Sequence, residues 1–185
     1  MSVFVAEELS EVLNTKVVIG RINIGLLNRI IIDDVLLDDQ SGQEMLKVTR
    51  LSAKFDIMPF FKGKISISSV QLFGFNINLR KETPDSPPNF KFVLDAFASK
   101  DTVKKENSLD LRINSILIRR GRMSYHVLSE EETPGKFNAK HIQLQNIIAN
   151  ISLKALSKDS LNLGIKRLSL DEKASGFSLK KMSLK

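Results

Sequence analysis

The chain has 185 residues, 42% hydrophobic and 26% charged, with a net charge of +7 at pH 7 and a pI of about 9.6. This balance excludes wholesale disorder and leaves room for one domain with a sizeable core. The lack of Cys excludes a disulfide framework and a thiolate metal site, and no apolar run is long enough for a membrane-spanning helix.

Residues 2–13 read as an amphipathic helix whose stripe is Val5, Leu9, Val12 and Leu13, ended by Asn14. Its expected role is to cover the end of a sheet. From residue 17 one spacing recurs: apolar, any, apolar, two polar or glycine residues, apolar, any, apolar. The first copies are Val17, Ile19, Ile22, Ile24, then Ile30, Ile32, Val35, Leu37, then Leu46, Val48, Leu51, Ala53. Residues 38–43 (DDQSGQ) form a polar turn around Gly42. A fourth copy, Ile65, Ile67, Val70, Leu72, opens a long strand that continues through Phe75, Ile77 and Leu79.

Residues 82–88 (ETPDSPP) break the sheet. Asn89 is placed to cap a short helix with Phe90, Val93, Leu94 and Phe97 on one side, and residues 99–108 form a charged linker. The spacing then resumes as Leu111, Ile113, Ile116, Ile118, followed by Met123 and Tyr125. These six stand 46 residues after Ile65, Ile67, Val70, Leu72, Ile77 and Leu79. A turn at Pro134-Gly135 precedes Ile142, Leu144, Ile147, Ala149, then Leu163, Ile165, Leu168, Leu170, and Phe177, Leu179, Met182, Leu184.

Offsets of 0, 2, 5 and 7 scatter around a helix and split between the faces of a flat strand. A bulge or bend at the middle pair keeps all four side chains on one face. The middle pairs are Gly20-Arg21, Asp33-Asp34, Thr49-Arg50, Ser68-Ser69, Asn114-Ser115, Gln145-Asn146, Lys166-Arg167 and Lys180-Lys181. Bent strands are the preferred reading; two-residue hairpins between very short strands are the alternative. The expected fold is mainly β: a curved antiparallel meander sheet, groove-like, of bent amphipathic strands, with an N-terminal helix and one short inserted helix. It is read as one unit, with a capping helix at 2–14, sheet sections at 15–81 and 109–185, and an insertion at 82–108. The last copy has no closing element after it, so the chain reads as a piece of a longer protein.

No catalytic constellation stands out. His126 and His141, the only histidines, lack metal-ligand spacing and read as strand residues. Asp33-Asp34, Asp38-Asp39 and Glu130-Glu131-Glu132 read as solvated acids at a bend, a turn and a loop. Arg119, Arg120 and Arg122 surround Gly121, but the only nearby aromatic, Tyr125, belongs to the apolar face. Nucleic acid is not an expected partner. The expectation is a non-enzymatic protein with no cofactor and no metal.

Four stretches carry a family likeness: VLNTKVVIGRINIG, IIIDDVLLDDQSGQEMLKVTRLSAKFDIMPFFKGKISISSVQL, PDSPPNFKFVLDAFASK and KRLSLDEKASGFSLKKMSL. In order, they resemble the N-terminal part of AsmA-like proteins of the TamB family (the translocation and assembly module), Bacteroidetes type. The resemblance covers nearly the whole chain. It implies a taco-shaped β-groove in the periplasm of a Gram-negative bacterium, anchored to the inner membrane in the full-length protein. It implies phospholipid acyl chains as partners, and a role in lipid transport and outer-membrane biogenesis. Assembly machinery or client β-barrel proteins are further partners it suggests. This sequence departs from the family in lacking the anchor and most of the long C-terminal region. On this reading the residues lining the groove are Ile65, Ile67, Val70, Leu72, Phe75, Ile77, Leu111, Ile113, Ile116 and Ile118.

Overall fold

The computed structural model describes residues 2–25, 28–55, 67–98, 114–157 and 160–184. Helix α1 (Ser2–Leu13) precedes strands β1 (Val17–Gly25), β2 (Arg29–Asp38), β3 (Glu44–Phe55) and β4 (Ile67–Lys81). Helix α2 (Lys91–Ala98) then leads to β5 (Ser115–Val127), β6 (His141–Ser157), β7 (Ser160–Glu172) and β8 (Ser178–Leu184). The strands form one open sheet in chain order.

Neighbouring strands are antiparallel with one exception: β4 and β5 run parallel. This corrects the expectation of an antiparallel meander throughout. A parallel pair needs a crossover of a dozen or more residues, and the insertion between β4 and β5 is long enough to supply it. The pairing keeps the internal repeat in step, with Val70 opposite Ile116, Leu72 opposite Ile118 and Leu79 opposite Tyr125.

The polar pairs Gly20-Arg21, Asp33-Asp34, Thr49-Arg50, Gln145-Asn146, Lys166-Arg167 and Lys180-Lys181 all lie inside continuous strands, which removes the hairpin alternative. Asp34, Gly74, Arg120 and Asn146 take φ values of 56°, 64°, 54° and 54°. Left-handed residues of this kind redirect a strand, and Asp, Asn and Gly adopt them readily. Arg120 is the less usual choice, and its guanidinium lies 5.2 Å from the centre of the Phe73 ring.

These bends are in phase across the first four strands. Ile19, Val35, Val48 and Phe75 stay paired on one side of the bend line, and Ile22, Ile32, Leu51 and Leu72 on the other. Bends aligned in this way curve the sheet along one line. In β4 and β5 the line passes through Phe73-Gly74 and Arg119-Arg120, five residues beyond the pairs expected from the spacing. Ser68-Ser69 marks a separate irregularity, where Lys54 faces Ser69 but Phe55 faces Ile67. Asn114-Ser115 sits at the start of β5.

Both helices pack near one end of β1 to β3. Ala6 is buried with Val17, Ile19, Leu37 and Met45, and Leu13, Phe90, Phe92 and Val93 pack on that cluster. The stripe expected for α1 is therefore rotated: Leu9 and Val12 are exposed. The cause is local. Ser10 Oγ accepts a hydrogen bond from Val17 N at 3.0 Å, which turns the Ala6–Ser10 side of the helix toward β1. Asn14 ends the helix with φ 48°. Asn89 is not a helix cap. Its Oδ1 accepts from Arg80 N at 3.0 Å, and its Nδ2 donates to Asn78 O at 3.0 Å and Asp39 Oδ2 at 3.1 Å. Of the expected α2 stripe, Val93 packs inward with Phe90 while Leu94 is exposed.

A second buried cluster, Val48, Phe75 and Ile147, sits at the bend line in the middle of the sheet. Its keystone is a missing side chain. A Cβ on Gly121 would lie 2.3 Å from Phe75 Cε1 and 2.4 Å from Cζ, so the ring occupies the space above that glycine. Gly121→Ala is therefore expected to destabilise the protein by about 1–3 kcal/mol through overpacking. The same change made in a Phe75→Ala background should cost much less. Urea denaturation of the four proteins of this cycle measures the coupling; equal costs in both backgrounds would contradict the contact.

Candidate functional site

Residues directly opposite one another in paired strands project to the same face, so the register identifies the continuous surfaces. Two apolar rows cross all eight strands. One is Ile22, Ile32, Leu51, Leu72, Ile118, Ala149, Leu168 and Met182. The other is Ile24, Ile30, Ala53, Val70, Ile116, Ile151, Ile165 and Leu184. On the other side of the bend line, Val17, Leu37, Leu46, Ile77, Met123 and Leu144 form a third row, which ends opposite Glu172. At about 4.8 Å per strand, an eight-strand row spans roughly 34 Å.

The face is partly covered. Helix α1 packs on β1, and α2 packs on α1; among the described residues no other helix or strand lies over it. The two full rows differ at the β1 edge: Ile22 and Ile32 of the first pack on the helix-covered cluster, whereas in the second Ile30 is 37% and Ile24 82% exposed, and Leu184 on β8 is 54% exposed. Among the described residues no helix is long and apolar enough to cross a membrane.

Six of the expected lining residues share this face. Val70, Leu72, Ile77, Ile116 and Ile118 are half-buried and present apolar surface. Phe75 is only 6% exposed and packs with Val48 and Ile147, so it fills the core of the face more than it lines an opening. Ile67 pairs with Phe55 at the start of β4. Ile65, Leu111 and Ile113 lie outside the described residues. Tyr125 stands between Leu79 and Ile142 and so continues the apolar face, as expected.

The acids are not all solvated, which corrects the sequence reading. Asp33 and Asp39 are 6% and 2% exposed. Asp33 accepts from Arg50 Nε at 2.6 Å across the bend, and this bond holds its carboxyl below the usual range. Asp39 closes the turn between β2 and β3, accepting from Ser41 N at 3.0 Å and Gln43 N at 3.1 Å. It also pairs with Arg80 at 2.7 Å, which ties that turn to β4. Burial pushes Asp39 up, but hydrogen bonds from Ser41, Asn89 and Gln43 outweigh it and keep its pKa lowered.

Glu172 does the same for the turn between β7 and β8. It is 3% exposed and accepts from Ser175 N at 2.7 Å, Ala174 N at 3.2 Å and Gln143 N at 3.2 Å. Burial opposes its charge, yet these donors together with the Ser175 hydroxyl bring its pKa down to about 2. Sequence reasoning missed both staples. The available signal was an acid followed within four residues by Ser and Gly, in Asp39-Gln40-Ser41-Gly42 and Glu172-Lys173-Ala174-Ser175-Gly176.

The two histidines, separate in the sequence, are opposite one another in β5 and β6, with Nδ1 atoms 3.0 Å apart. No protein-family model matches the chain, and no characterised protein matches its sequence.

A carboxylate whose pKa is depressed on folding stabilises the fold fully above its unfolded value and loses that contribution as pH falls through its folded value. For Glu172 the window runs from about 4.5 down to about 2. Glu172→Gln is expected to cost about 1–3 kcal/mol at neutral pH, because buried donors lose their charged acceptor. The difference from the parent should shrink as pH drops from 5 to 2. Thermal unfolding followed across that range checks both statements.

Proposed function

We propose that this chain is a non-enzymatic segment of a β-groove that holds lipid acyl chains, as the resemblance to TamB-type proteins implies, and that it works in the periplasm between inner and outer membrane. The observation that carries the reading is the pair of apolar rows running across all eight strands with no second layer over most of their length among the described residues. A closed core would set another helix or sheet against such a surface. Each methylene buried there gains about 0.8 kcal/mol, so a long acyl chain is retained without a specific headgroup site. The uniformity of the rows suits movement along them, because no position holds much tighter than the next. The buried acids fit a structural role: Asp33, Asp39 and Glu172 are each engaged by donors that fix a bend or a turn.

A second reading is favoured by the open edges. The sheet ends in β1 and β8 without closing, and the exposed Ile24 and Leu184 carry one row out to both edges. Client β-barrel strands could extend the sheet there. Lys180 and Lys181 on β8 count against spontaneous edge pairing, since lysines at an edge discourage it.

The lipid reading predicts that purified protein carries, or takes up from vesicles, lipid detectable by solvent extraction and mass spectrometry. Ile30→Lys and Ile116→Lys, in one row of the face, should lower the load several-fold while retaining the circular dichroism of the parent. Leu117→Lys, on the opposite face, should leave it unchanged. A parent protein that neither carries nor takes up lipid would remove the proposal, and crosslinking from residues 177–185 that captures client strands would favour the alternative.

A further inference from the structure

We propose that His126, His141 and Glu132 form a binding site for one divalent transition-metal ion of the zinc type. The site lies at the β5–β6 end of the sheet, apart from the apolar rows. The cross-strand pair places His126 Nδ1 3.0 Å from His141 Nδ1. Glu132 Oε1, from the loop between the two strands, lies 3.8 Å from the first nitrogen and 3.9 Å from the second. These lengths are too long for good hydrogen bonds to the carboxylate. They suit three ligands around one ion: zinc bonds of about 2.0–2.2 Å in tetrahedral geometry put neighbouring donor atoms roughly 3.3–3.5 Å apart. Shifts of less than about an ångström in the side chains bring all three edges to that value.

The hydrogen-bond geometry of His141 supports the assignment. Its Nε2 lies 2.9 Å from the backbone carbonyl of Glu130, an atom that only accepts, so Nε2 carries a hydrogen and Nδ1 is the ring nitrogen left facing His126 and Glu132. A carbonyl on the far nitrogen is the usual way a protein orients a ligating imidazole. His141 is 8% exposed and Glu132's side chain is 64% exposed, so one ligand is fixed and another is free to adjust. Two of the neighbouring cations are engaged elsewhere and a third stands at the site's cavity. Lys140 pairs with Glu130 at 2.6 Å and Arg80 pairs with Asp39, while Lys173 lines the same shallow cavity of about 210 Å³ as Glu132 and His141. Two imidazoles and a carboxylate match the donor preference of Zn²⁺ and leave its fourth position for water. Bound there, the ion would pin the loop between β5 and β6 onto the sheet.

The test is titration of the tag-free chain with ZnCl₂ in a calorimeter, with thermal unfolding followed in parallel. One ion per chain and a raised unfolding temperature are expected. Affinity should fall at least about tenfold in Glu132→Gln and further in His126→Gln, both at exposed or half-exposed positions that leave the fold intact. Histidine ¹⁵N spectra should show zinc-induced shifts at both Nδ1 atoms, with the Nε2 hydrogen of His141 retained. Absence of binding, or binding equally strong in both variants, overturns the site and leaves a hydrogen-bonded histidine pair; neither result bears on the lipid proposal.

Discussion

Everything in this sheet depends on its bends falling in phase. A strand that gains one residue would ordinarily turn its next apolar side chains to the opposite face. Here the extra residue recurs at the same height in neighbouring strands, so Ile19 pairs with Val35 before the bend and Ile22 with Ile32 after it. Apolar side chains therefore meet apolar side chains on both sides of the line. Phe75 shows what this alignment allows. Its ring spans the position of Gly121 toward Ile147, linking β4, β5 and β6 at the bend line. Had the bends been out of step, the same residues would have been divided between two faces and neither would form continuous rows.

Much of this was legible because periodicity is a local property of the chain. The 0, 2, 5, 7 spacing located the strands and gave the correct face for Val70, Leu72, Ile77, Ile116 and Ile118. Placement of the bend in β4 was less accurate, because Ile65 to Ile77 contains two overlapping copies and only the pairing with β3 selects the later one. The parallel junction was within reach as well. A segment repeated at a 46-residue offset, with a long insertion between the copies, is compatible with a crossover that lays the second copy alongside the first in register.

Part of what sequence reasoning missed was non-local. His126 and His141 have no meaningful spacing in one dimension and meet only because β5 and β6 are antiparallel neighbours. Asp39 reads as a turn acid, yet its burial comes from Arg80 and Asn89, both far along the chain. The rotation of α1 is by contrast a local effect: Ser10 bonds Val17, seven residues on, and Leu9 and Val12 of the inferred stripe are left exposed.

The placement of the two helices makes the surface asymmetric from side to side. They sit above Val17, Ile19 and Leu37, but leave Ile24 and Ile30 uncovered. A rod-like guest lying across the strands would thus find some lanes blocked at the β1 margin, while among the described residues no helix or strand lies over the lane through Ile116.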